Sequence, residues 1–183
     1  MVERAYTIHP LLFGAAPRWR HRTTHEFPPA AQAFQWIVRF AIEWYVRSAI
    51  VDSDELEIDT ARRRIVDLTD AVRSFCAGRR DGLCNVFVPH ATAGVAIIET
   101  GAGSDDDLVD TLERLLPRDD RYRHTHGSPG HGADHVLPAL VSPSVTLPVQ
   151  GGEPLLGTWQ SVVLVDLNSD NPQRKVRLSF ISA

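Results

Sequence analysis

Residues 174–181 alternate Val176, Leu178 and Phe180 with Lys175, Arg177 and Ser179. In an extended chain successive side chains point to opposite faces, so this period of two describes a strand with one apolar and one solvated face. Such a strand needs neighbours on its edges and a cover on its apolar side, which commits the chain to half-buried sheet. The same punctuation recurs upstream. Leu56 and Ile58 alternate with Glu55, Glu57 and Asp59, and after the turn at Thr60-Ala61-Arg62 come Ile65, Val66 and Leu68. That pair reads as a β-hairpin. Apolar, β-branched strands follow at 83–88, 94–98, 144–149 and 155–166.

Helical patterns are few. Residues 70–77 read as a short helix capped near Asp67 or Thr69, with Val72 and Phe75 three apart. Ser104 opens a second helix in capping-box style, with Asp107 three residues on and Asp105, Asp106 and Asp107 in its first turn. Its apolar face is Leu108, Leu112, Leu115 and Leu116, and Pro117 ends it. Many strands, two or three helices and no strand–helix–strand rhythm predict an α+β fold, a compact antiparallel β-sandwich.

Residues 1–50 are of another kind. Pro10, Pro17, Pro28 and Pro29 break them up, and the segment carries six arginines against three acidic residues. Within it Phe34, Ile37, Val38, Ala41, Ile42, Tyr45 and Ala49 keep helical spacing, which predicts an amphipathic helix over 34–50. The boundary is placed at 50/51, with a poorly structured extension before a body of 51–183. A start codon placed too far upstream would give the same composition shift.

The body holds thirteen Lys and Arg against twenty Asp and Glu, within a chain of formal charge −4. An acidic body argues against nucleic acid as the main partner, since phosphate backbones need clustered cations. No stretch approaches the roughly 20 apolar residues that span a bilayer. The opening Met1-Val2-Glu3-Arg4-Ala5 is not a basic stretch followed by an apolar one, so a signal peptide is not expected. Cys76 and Cys84 make neither a disulfide framework nor a thiolate zinc spacing, so a cytoplasmic protein with reduced thiols is expected.

Chemistry is sought first between Asn85 and Gln160, where five of the eight histidines lie. His90 follows an apolar strand and Pro89 at a turn, beside Thr92 and Gly94, and Glu99 ends the next strand. If those strands are neighbours, His90 and Glu99 converge. The loop 118–134 and its sequel carry His124, His126, His131 and His135, a spacing that matches no standard zinc signature. Asp134 could orient the imidazole of His135. Asp110 shares a helix face with Asp106. Trp159 and Gln160 open an apolar strand. Each has a plain structural alternative: a hydrogen-bonded core histidine, a solvated loop, an acidic helix start, a core indole.

Several phrases together resemble one family, the YjbQ-like proteins, described as secondary thiamine-phosphate synthases. The phrases are Pro89-His90-Ala91-Thr92-Ala93, Glu99, Asp110, Tyr122 with His124, His135, Leu147-Pro148-Val149, Gly157-Thr158-Trp159-Gln160 and Arg174. They cover roughly residues 54–182. Ala91, Ile98, Ser161 and Asp166 depart from the family pattern, and His126 and His131 look like additions of a subgroup. The resemblance implies a metal-assisted enzyme on a small phosphorylated molecule. Its specific form would join a hydroxymethylpyrimidine pyrophosphate to a thiazole phosphate with loss of pyrophosphate. It implies His90, Glu99 and Asp110 as catalytic residues and Thr92, Trp159, Gln160 and Arg174 as substrate-binding ones. It further implies a divalent metal such as zinc on His90, His124 and His135, and a homotrimer with no nucleic-acid or membrane partner. The alternative is a trimeric small-ligand or metal-binding module without turnover.

Overall fold

The computed structural model describes residues 38–39, 51–119 and 121–183. The predicted helix over 34–50 lies outside the described residues except for Val38 and Arg39, which are helical. Internal contacts group Ser48–Ala183 into one unit, and everything below concerns it.

Eight strands build two antiparallel sheets. They are β1 (Val51–Asp59), β2 (Ile65–Asp67), β3 (Gly82–Phe87), β4 (Ala93–Ile98), β5 (Ser144–Gln150), β6 (Glu153–Pro154), β7 (Ser161–Asp166) and β8 (Gln173–Ser182). The larger sheet runs β1-β8-β3-β5-β6 and the smaller β2-β7-β4. Four helices complete the described body: α1 (Thr69–Cys76), α2 (Ser104–Leu115) and the single turns α3 (His131–Asp134) and α4 (Leu137–Leu140). No described helix is long and apolar enough to cross a membrane.

The alternation in β8 does what its period demands. Val176, Leu178 and Phe180 are buried with Cys84 and Val86 of β3 and Leu147 and Val149 of β5, while Lys175 and Arg177 face solvent. Val95, Val162 and Leu164 of the small sheet, with Val72 and Phe75 of α1, close this core from the other side. The strand β7 is apolar on both faces because it is covered on both. Val162 and Leu164 look into the first core, and Val163 and Val165 into a second one with Leu112, Leu116 and Leu137. The order of layers is therefore large sheet, then small sheet with α1, then the remaining helices. Gly94 permits the last step, since a Cβ there would strike the Val141 carbonyl oxygen.

Three local expectations give way. The segments before and after Thr60 form no hairpin: β1 pairs with β8 and β2 with β7, in different sheets. The turn crosses between the sheets, held by the Thr60 N–H to Pro172 O (2.8 Å) and the Thr60 hydroxyl to Asp166 Oδ2 (2.7 Å). Only the second half of the expected strand 155–166 forms, as β7 from Ser161, because Gly157 and Gln160 close a turn on themselves (Gln160 N to Gly157 O, 2.9 Å). Ser104 makes no capping box; Gly103 at φ 95° precedes α2 without a side-chain cap, and the acidic first turn is what suits the helix dipole. The N-cap of α1 is Leu68, without a side-chain cap, although Asp67 Oδ1 just before it accepts the Thr69 N–H at 2.8 Å.

Candidate functional site

Antiparallel pairing of β4 with β7 sets Ala93 opposite Asp166 at one end and Ile98 opposite Ser161 at the other. At about 3.4 Å per residue the two ends stand roughly 17 Å apart. The candidate residues divide between them. His90, Thr92, Asp166 and Arg174 gather at the Asp166 end, and Glu99, Trp159 and Gln160 at the Ser161 end. His90 and Glu99 therefore do not converge, because β3 and β4 lie in different sheets and the two residues flank β4 at opposite ends.

At the first end Arg174 is buried (3 % exposed) and grips buried Asp166 through Nε (2.6 Å) and Nη2 (2.9 Å). The His90 Nε2 accepts the Lys175 N–H at 2.8 Å, and its Nδ1 faces Arg174 Nη1 at 3.4 Å. Burial, and then the Arg174 charge, hold His90 below the ordinary histidine pKa, so it stays neutral. Arg174, expected to meet substrate, is thus spent on an internal carboxylate. Thr92 is buried at the start of β4.

From Asp166 the chain leads to a histidine cluster. Asp166 Oδ1 accepts the Asn168 N–H (3.0 Å), and the Asn168 amide donates to Asp134 Oδ2 (2.9 Å) beside His135. Asp134 is 1 % exposed and ion-paired with Arg118, whose Nη2 reaches Asp134 Oδ2 at 3.2 Å. The cluster itself is His124, His131 and His135, with one nitrogen of each within 4.8 Å of the others. His131 Nδ1 meets Asp170 Oδ2 at 2.8 Å, and its Nε2 meets His135 Nε2 at 2.9 Å. A fourth ring, His126, has its centroid 4.0 Å from that of His124. Gly132 makes this approach feasible, because a Cβ on it would come within 2.8 Å of the His124 carbonyl oxygen and 2.5 Å of Tyr122 Cβ.

Of the expected metal set His90, His124 and His135, the structure brings together only His124 and His135, and it adds His131 to them in place of His90. His90 is committed to Lys175 and Arg174, whereas α3 brings His131 and His135 together four residues apart. The donor set fits a borderline transition metal such as zinc, which takes imidazole nitrogen in preference to the all-oxygen shells of magnesium or calcium. Two zinc-bound nitrogens stand roughly 3.4 Å apart. Separations of 2.9 to 4.8 Å need only side-chain rotation to match. Desolvation first, then the neighbouring imidazoles, lower the pKa of His124 and of His135, favouring the neutral ligating form. The cluster borders a cavity of about 220 Å³ lined by Tyr122, Thr125, His126 and Ser128 among others.

At the far end Glu99, Trp159 and Gln160 share a cleft of about 280 Å³ with Asp70, Arg73 and Thr100. Trp159 is 73 % exposed, and Gln160 Oε1 accepts the Gly157 N–H at 2.8 Å. Asp110 is exposed on α2. Sequence reasoning passed over Asp166 as a partner of Arg174, and over Asn168 and Asp170 altogether. Their signal was present: polar residues at 166, 168 and 170 directly follow the apolar run 162–165.

The sequence model of the family described as UPF0047 protein YjbQ-like matches residues 54–183. The chain belongs to that family. The UPF0047 protein Rv2556c of Mycobacterium tuberculosis is 81 % identical over 131 residues, which are 72 % of this chain and 98 % of that one. A UPF0047 protein of Archaeoglobus fulgidus is 34 % identical over 67 % of this chain and 96 % of its own length. Among solved structures, a hypothetical protein of Aeropyrum pernix K1 superposes with a TM-score of 0.65 at 29 % identity, covering 72 % of this chain and 99 % of that one. A YbjQ-like protein of unknown function from Sulfolobus solfataricus P2 shares the fold with a TM-score of 0.69 at 24 % identity, covering 74 % of this chain and 100 % of that one.

Proposed function

We propose that this UPF0047 protein is a metal-assisted enzyme acting on a small phosphorylated substrate, with secondary thiamine-phosphate synthesis as the specific reaction to test first. One observation carries the reading: three imidazoles with ligand atoms within 4.8 Å of one another, beside a cavity. Three histidines plus an open position are the donor set of catalytic zinc sites. A cation held there would supply Lewis-acid charge for a departing phosphate or pyrophosphate. Within the chain, His124, His131 and His135 hold the ion, and the Tyr122–Gly132 loop walls the cavity. At about 220 Å³ it is smaller than the roughly 300–1,000 Å³ that encloses a whole small ligand, so it suits a phosphoryl group rather than the entire substrate.

His126 favours a second reading, a closed metal site in a binding module without turnover. Its ring lies against His124, and a fourth imidazole would saturate a tetrahedral ion. The test is metal analysis together with pyrophosphate release from hydroxymethylpyrimidine pyrophosphate in the presence of thiazole phosphate. The enzyme reading expects release that requires the ion and is lost in His131→Ala. A chain that binds zinc, yet neither turns over nor changes its cobalt spectrum on adding pyrophosphate, supports the binding module. Undiminished turnover by His131→Ala would refute the site.

A further inference from the structure

The two nitrogens of an imidazole are not equivalent: in the neutral ring one carries the proton and the other the lone pair, and the partner of the first decides which is which. Among the three clustered histidines, His131 has the defined partner. Its Nδ1 lies 2.8 Å from Asp170 Oδ2, and Asp170 Oδ2 also accepts the Ser128 N–H at 3.3 Å. A carboxylate only accepts, so this contact places the proton on Nδ1 and leaves the Nε2 lone pair facing His135 Nε2, 2.9 Å away. The Asn168 amide nitrogen also stands near His131 Nδ1, at 3.3 Å, and its NH2 keeps a second hydrogen besides the one given to Asp134 at 2.9 Å. A lone pair on Nδ1 would face the Asp170 carboxylate at 2.8 Å, nearer than the amide and repulsive, so the charged acceptor decides the tautomer.

Asp170 is in turn held by the backbone. Asn168 Oδ1 accepts the N–H of Asp170 (2.9 Å) and of Asn171 (3.1 Å), closing a tight turn just after β7. Asn168 is 8 % exposed, and its own N–H is tied to Asp166, the partner of Arg174. The side chain of Asp170 is only a third exposed, and that of His131 is 13 % exposed. The direction of the carboxylate is therefore set by the end of a core strand.

We infer that Asp170 is a positioning residue for the ion site: it fixes His131 in the Nδ1–H tautomer, so that Nε2 faces the cluster as a ready ligand, and Asn168 aims it. The inference rests on the metal reading above and adds which of the three ligands is preorganised and by what. Partners of this kind typically contribute 10–100-fold to metal affinity.

The experiment uses the full chain and its Asp170→Asn, Asp170→Glu and His131→Ala variants. Nitrogen-15 NMR of the imidazoles in metal-free protein reads the His131 tautomer directly. Titration with Co²⁺, followed by visible absorption, reads affinity and ligand geometry. A single Nδ1–H tautomer at His131 in the parent chain is expected. Asp170→Asn should mix the tautomers and weaken Co²⁺ binding about 10–100-fold, Asp170→Glu should recover most of both, and the thermal midpoint should move little. An Nε2–H tautomer at His131 in the parent chain overturns the inference. So does unchanged Co²⁺ affinity in Asp170→Asn when His131→Ala abolishes binding, which leaves the metal reading standing. A parent chain that takes up no Co²⁺ overturns the metal reading and, with it, the assigned role of Asp170.

Discussion

Replacing Arg174 by methionine separates a structural arginine from a substrate-binding one. The guanidinium is 2 % exposed and the Asp166 carboxylate fully buried, joined at 2.6 and 2.9 Å, with the Thr60 hydroxyl on the same carboxylate at 2.7 Å. Methionine keeps most of the apolar volume but leaves Asp166 buried without its counter-charge. Removing one partner of such a pair costs about 3–5 kcal/mol. For a body of this size each kcal/mol moves the midpoint by about 3 °C, so the loss should be about 10–15 °C. Calorimetry of the metal-free chain measures it. The paired change Arg174→Met with Asp166→Leu should recover much of the stability, because replacing both charges removes the desolvation penalty as well as the attraction. The neighbouring Lys175 N–H to His90 bond belongs to the same strand, so the single variant should also disturb the His90 resonances. A loss below about 1 kcal/mol would refute this reasoning, since it falls within the range of an exposed pair. It would return Arg174 to the substrate.

Three further outcomes are expected. Metal affinity should be constant above pH 6.5 and fall below it. His124 and His135 ligate as neutral rings, and their pKa values are lowered from 6.5, so the loss comes as pH drops through those lowered values; isothermal titration across pH 5–8 checks it, and undiminished affinity at pH 5 would exclude histidine ligation. Gly132→Ala should weaken metal binding by at least tenfold, because the new Cβ would push His124 and Tyr122 away from α3; unchanged Co²⁺ affinity would show that the loop yields elsewhere. We expect the body to assemble as a homotrimer, since Val51, Leu83, Phe87 and Ile181 lie exposed on the large sheet, and a monomer in sedimentation at micromolar concentration would count against it.

The sequence by itself determined what depends on period and local chemistry. The two-residue alternation of β8 predicted which side chains face the core. The apolar run 162–165 marked a strand, and the leucine spacing of α2 marked its buried face at Leu112 and Leu116, although Leu115, expected on that face, is 63 % exposed. The phrases around His90, Glu99, Trp159 and Arg174 sufficed for the family. Tertiary structure decided which segments pair and which side chains meet. Consecutive strands around Thr60 looked like a hairpin because turn and alternation were right, but pairing energy comes from partners about a hundred residues away in β7 and β8, and local pattern carries no record of those. The same holds for the site. His90 and His131 are equally plausible ligands as isolated residues. What separates them is that a β8 amide claims the ring of one, while a turn after β7 aims a carboxylate at the other and Gly132 lets His124 close in on it.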